Sequence, residues 1–290
     1  MTGYQEATGA ASSAAGTEPR SVVVLRPTRG FSLDLREIWA YRELLAFLVW
    51  RDIKVRYKQT VLGASWALIQ PVMSMIIFSV IFGRFAKIPS DGLPYPIFVF
   101  AGLLPWTYFA QSLSLSSLSI VSSASLVTKI YFPRLIIPLA SVAVPIVDFF
   151  LSFTVLIGMM AYYGIVPSWH IVFFPFFLLF ALATALGTGL WLSALNVRYR
   201  DVPFIIPFIA QLWMYASPVI YPVSLVHGHW RLILSLNPMV GVIDGFRWAL
   251  LGQGQLRVTV LLTSVVVGVI MVLSGLNYFR RVERYFADII

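Results

Sequence analysis

The chain has no cysteine, only three histidines, and charged residues amount to just 11% of its 290 positions. Without cysteine there is no disulfide framework and no thiol nucleophile or thiolate ligand. The four lysines, Lys54, Lys58, Lys87 and Lys129, all lack the glycine-rich turn through which a Walker A loop holds phosphates, so ATP hydrolysis by that route is excluded. His170, His227 and His229 do not form a spaced ligand set, and the His227/His229 pair before Trp230 reads as a loop; no metal site is expected. A Ser/His/Asp grouping is missing too, so no catalytic residue is assigned.

What fills the space is apolar. AVILMFWYC residues are 59% of the chain, and mean hydropathy is +0.84. Soluble domains carry about 25% charged residues, so this composition reads as an all-α polytopic membrane protein. The net charge of +9 comes from basic residues in short loops between apolar runs, which report orientation and not nucleic-acid binding.

Residues 1–30, rich in Ala, Ser, Thr and Gly, read as a tail. Residues 31–59 follow as an amphipathic interface helix, centred on Leu35–Lys58, with Trp39, Leu44, Leu48 and Trp50 on one side and Arg36, Arg42, Arg51 and Lys54 on the wet side. Residues 60–279 carry six expected spans: Val61–Gly83, Tyr95–Leu118, Leu135–Tyr163, Ile171–Leu195, Pro203–Tyr221 and Val258–Tyr278. The serine-rich Ser112–Ser125 stretch is too polar for a lipid-facing core and is expected to lead into a short surface helix. Within Pro222–Gln255 the apolar pieces Trp230–Leu236 and Met239–Leu251 are too short to cross, and are expected to dip into the outer leaflet and return. Residues 280–290 form a basic tail.

With six spans both ends emerge on one side. Sixteen of the 21 Lys and Arg then fall on that side, which places both termini in the cytoplasm. Asp148 is the single acid well inside a span. It reads equally as a polar point facing a path or subunit interface and as a carboxylate bonded within the bundle. One acid makes a poor proton relay.

Four stretches, WRDIKVRYKQTVLGASWALIQP, VTKIYFPRLIIPL, LWLSALNVRYRDVPFIIPFIAQLWMYASPVIYP and LNPMVGVIDGFRWALLG, occur in one order. Together they resemble the transmembrane permease subunit of type 2 ABC transporters that export lipid-linked polysaccharide, the O-antigen and teichoic-acid exporters. The resemblance covers about Leu35 to Arg281.

It implies a homodimer in the bacterial inner membrane, with two copies of a separate cytoplasmic ATPase that hold the ATP and Mg; no cofactor is expected in this chain. It also implies that the interface helix and a coupling helix at about Ser123–Arg134 press on that ATPase, making Lys129, Tyr131 and Arg134 coupling candidates. Pro222–Gly252 would cap the exit, and the first and fifth spans would line a lateral opening for the undecaprenyl diphosphate carrier. Arg51, Lys54, Arg56 and Lys58 stand where its pyrophosphate needs cations, although anchoring to anionic lipid accounts for them as simply. Trp66, Trp106, Tyr108, Phe109, Trp213 and Tyr215 are candidates for a glycan path, with core packing or an interfacial belt as the plain alternative. Two other functions stay open: a permease of the same fold for a drug or small lipid, and an ATP-independent channel or scramblase.

Overall fold

The structure is a computed structural model, and it describes residues 35–58, 65–199, 201–252 and 256–286. The expected tail at 1–30, the start of the first span and Arg200 lie outside the described residues. Every regular element among the described residues is helical.

Two helices precede the bundle: α1, Leu35–Ala40, and α2, Arg42–Lys58, separated by a turn at Tyr41. The single interface helix expected here is therefore broken. Its polarity also differs from a two-faced helix. Leu48 is buried in one cluster with Ile136, Ile137 and Ala140, whereas Phe47 and Trp50 on other sides are exposed. Apolar residues on opposite sides suit a helix with protein on one flank and lipid on the other.

The first apolar helix, α3, runs Ser65–Phe78 and continues as a π-helical stretch through Ser79–Phe85. Its 21 residues span about 32 Å, enough to cross a bilayer core of about 30 Å. α4, Tyr95–Ser122, is the central helix and packs against α3 and most of the later helices. It absorbs most of the serine-rich stretch read from the sequence as the approach to a surface helix. Ser117 and Ser119 donate to the carbonyls of Ser114 and Ser116, both at 2.7 Å, and Ser122 donates to Ser119 at 3.0 Å. Hydroxyls satisfied along their own helix carry little polar cost into the bundle, and their small size lets a neighbour come close. That neighbour is α8, Phe174–Arg198: Asn196 donates to the Ser117 carbonyl at 2.9 Å, and a Cβ on Gly189 would meet Ser116 Oγ at 2.5 Å.

The short helix α5 covers only Ala124–Lys129. The third expected span is split by Pro145 into α6, Ile136–Ala143, and α7, Pro145–Tyr162, which together remain long enough to cross. A 3₁₀ turn, Trp169–Phe173, leads into α8. The last long helix, α12, Val258–Glu283, extends past Arg280 and Arg281 and lies along α8. Their backbones touch: a Cβ on Gly187 would sit 2.7 Å from Val272 Cα, and one on Gly275 would overlap the Gly187 carbonyl. Glycine is required at this close approach.

Among the described residues, five helical segments are long and apolar enough to span a membrane. The expected fifth span, Pro203–Tyr221, is shorter than predicted: α9 covers Val202–Tyr215, 14 residues, about 21 Å of helix. The chain leaves the helix at Ala216–Tyr221, where Pro218 cannot donate into the ladder. Two further short helices follow, α10, His229–Ser235, and α11, Pro238–Leu251. α11 starts at an Asn-Pro pair, with Asn237 accepting from the Met239 N–H at 3.0 Å, and stops at Gly252, whose φ of 64° is left-handed.

Candidate functional site

Two polar constellations are built into this apolar bundle. The first joins α2 to the spanning helices. Arg56 forms an ion pair with Asp148 at 2.6 Å and donates to Gln111 on α4 at 3.2 Å, while the Tyr57 hydroxyl donates to the other Asp148 oxygen. Asp148 sits in the first turn of α7 and is 5% exposed. The helix N-terminus favours its charge, and neighbouring α2 supplies both of its partners. Burial, then the hydrogen bond and charge of Asp148, hold the Tyr57 phenol well above its ordinary range, so it stays a donor. Within the chain, Asp148 contacts Arg56 and Tyr57. The carboxylate clamps the end of α2 onto α7, and Arg56 ties it to α4.

The second constellation holds the unwound segment after α9. Arg247 on α11 is 4% exposed and donates to the carbonyls of Phe98 at 3.1 Å, Pro218 at 2.6 Å and Val219 at 2.6 Å. Its guanidinium lies 3.6 Å from the centroid of the Phe98 ring. Backbone that leaves a helix at membrane depth needs its carbonyls satisfied by protein, and a guanidinium with several forked donors does this at one position. Gly102 makes room for it, since a Cβ there would lie 2.6 Å from an Arg247 nitrogen. Asn237 extends the arrangement by donating to Ser217 Oγ at 2.8 Å. Sequence reasoning counted Arg247 only as one cation of the outer side. The signal that could have found it is a pair of opposite charges, Asp244 and Arg247, three residues apart in an otherwise apolar helix.

The remaining candidates separate by exposure. Arg51 pairs with its neighbour Asp52 at 2.8 Å, and Arg56 is engaged as described, whereas Lys54 and Lys58 are exposed. At the end of α5 Lys129 is exposed, as is Ile130 just after it, and Tyr131 is 67% exposed, whereas Arg134 turns inward to the Glu283 carbonyl at the end of α12 and the Phe286 ring just beyond it. Trp106, Tyr108 and Phe109 are buried in the core. Phe109 packs edge-on against Trp213 at 5.0 Å, and the Tyr108 hydroxyl donates to the Val142 carbonyl at 3.2 Å. Trp66 is exposed at the start of α3, and Tyr215 at the end of α9. The structure thus does not gather the six rings on one surface.

Among the described residues, five helices long and apolar enough to cross, a further apolar helix that unwinds against a buried arginine, and a preceding helix clamped to the bundle define a multi-pass membrane protein. The chain belongs to the ABC-2 type transporter family, whose profile matches residues 43–251. It is 31% identical over 257 residues to the O-antigen export system permease protein RfbA of Myxococcus xanthus, covering 88% of this chain and 98% of that one. A Klebsiella pneumoniae protein of the same name is 28% identical over 249 residues, covering 86% and 95%. The polysialic acid transport protein KpsM of Escherichia coli is 23% identical over 210 residues, covering 69% and 78%.

Proposed function

We propose that the chain is the permease subunit of an ATP-driven exporter that carries undecaprenyl-diphosphate-linked polysaccharide, O-antigen-like in character, across the bacterial cytoplasmic membrane. The observation that carries this reading is end-to-end similarity to O-antigen export permeases, 98% of the Myxococcus protein being covered. The subunit works as a homodimer with two copies of a separate ATPase that binds ATP and Mg.

In this reading α9 and the Arg247-bound segment after it together make the fifth of six passages, leaving both termini in the cytoplasm. α10 and α11 are the re-entrant pair near the outer surface. The exposed apolar sides of α3, with Ile76 and Ile77, and of α9, with Phe204 and Phe208, supply surface for the partner subunit and a lateral opening. Exposed Lys129, Ile130 and Tyr131 offer the ATPase a contact. Arg134 transmits through its bond to the end of α12, a positioning role. Exposed Lys54 and Lys58 are left for the pyrophosphate, while Arg51 and Arg56 are already paired. Exposed Trp66 and Tyr215 are the rings available to sugar faces.

Reconstitution with the natural ATPase tests the proposal. Lipid-linked polysaccharide is expected to stimulate ATP hydrolysis, and Tyr131→Ala to abolish export while the permease still assembles in the membrane. Stimulation by small amphiphiles alone, or lipid translocation with no ATPase present, would overturn the assignment in favour of a drug permease or a scramblase.

A further inference from the structure

Between the interface helix and the bundle lies an open groove of about 500 Å³, unrelated to the polar constellations above. Leu45, Val49 and Ile53 of α2 form one wall, and Leu139, Val142 and Ala143 of α6 form the other. Ligand sites commonly enclose about 300–1,000 Å³, so the volume suits a molecule and not a packing defect. The lining is almost wholly apolar, and its one cation is Arg42. Exposed Arg42 lies over the Trp39 ring at 5.6 Å and pairs with no carboxylate among the described residues.

We propose that this groove holds one acyl chain of an anionic bilayer glycerophospholipid, with its phosphate on Arg42. Apolar walls exclude an extended peptide, whose backbone N–H and C=O groups would be buried without partners. An acyl chain has no such groups. A single guanidinium at the rim matches a single phosphodiester, whereas a diphosphate carrier brings more charge than Arg42 can meet. Exposed Trp39 and Trp50 flank the groove with the ring type that settles at headgroup depth. A lipid seated there braces α2 against α6, tying the position of the interface helix to the composition of the membrane.

The test uses the full chain in nanodiscs of phosphatidylglycerol carrying a diazirine on one acyl chain, with labelled peptides identified after illumination. Labelling is expected to concentrate on 45–53 and 139–143, above that of the lipid-facing side of α12 at Leu262, Val266 and Val269. Ala46→Trp, which fills the groove from an exposed position, should remove that excess, and Val269→Trp should leave it intact. Arg42→Gln should retain about fivefold less phosphatidylglycerol through purification, the loss expected of one cation at an anionic surface. Even labelling of every lipid-facing helix, meaning annular lipid only, would overturn the proposal. So would displacement of the probe by polyprenyl phosphate at equal concentration, or groove labelling that appears only after residues 1–34 are removed.

Discussion

The helix with the lower hydropathy is the one in the middle. α4, with a mean hydropathy of 1.2, is 78% buried, whereas α3 and its π-helical extension reach 1.9 and are 6% buried. In water the order would be reversed, because there the most apolar helix is driven inside. In a bilayer the lipid tails are as apolar as leucine, so burial no longer rewards hydrophobicity and helix contacts are selected by close packing and hydrogen bonds. α4 qualifies through its serines and Gly102, and α3, carrying Ile69, Met73, Ile76 and Ile77, is left facing outward.

The contrast is sharpest at Arg247, and there substitution should cost most. Arg247→Met leaves the Phe98, Pro218 and Val219 carbonyls without their donor, and the loss of three charge-assisted bonds in a buried site is expected to cost about 3 kcal/mol or more. A detergent unfolding scan should show the variant failing to fold or melting far below the parent. Arg247→Lys, which keeps the charge but not the fork, should fall between.

Next comes the seam between α8 and α12. Gly275→Leu places a side chain where the Gly187 carbonyl lies, and overpacking of this kind costs about 1–3 kcal/mol. An equal increase in bulk on the outer face, Val269→Phe, should change the melting temperature little. Equal losses at both positions would show that the two sides of α12 are not packed differently.

A smaller effect is expected at the clamp on α2. Asp148→Asn removes the ion pair with Arg56, which is partly exposed, so the expected cost is about 1–2 kcal/mol. Since the chain has no cysteine, a spin label on Val55→Cys reports α2 alone, and it should gain mobility when Asp148 is neutralised. In the parent this mobility should be constant between about pH 6 and pH 9. A phenol whose folded-state pKa is raised keeps its contribution below the ordinary value of about 10 and loses it only as pH climbs through the higher one. Least of all, Lys54→Gln and Lys58→Gln should shift stability by no more than about 0.5 kcal/mol, so any drop in substrate-stimulated ATPase activity is attributable to contact with the head group.

Much of this architecture is legible without coordinates. Ser65–Gly83, Ile171–Leu195 and Val258–Phe279 are apolar runs without a charged residue, and the Asn237-Pro238 start of α11 is written in two residues. The serine-rich end of α4 runs past the expected limit at Leu118 to Ser122, because composition cannot reveal that Ser119 and Ser122 bond along their own helix. α9 was drawn too long because Pro218 and its neighbours remain apolar whether or not they are helical. The six aromatic candidates look alike in sequence, yet Phe109 is fully buried and Trp66 is 62% exposed.

The sequence by itself determined the solvent: with so few charges and such long apolar runs, only helices in lipid can satisfy the backbone. Tertiary structure alone decided the roles of the few polar groups. Arg56 and Asp148 lie 92 positions apart, and Arg247 lies 28 positions beyond the nearest carbonyl it holds. Partners so distant along the chain are chosen by which helices meet, and that depends on where small residues let backbones approach.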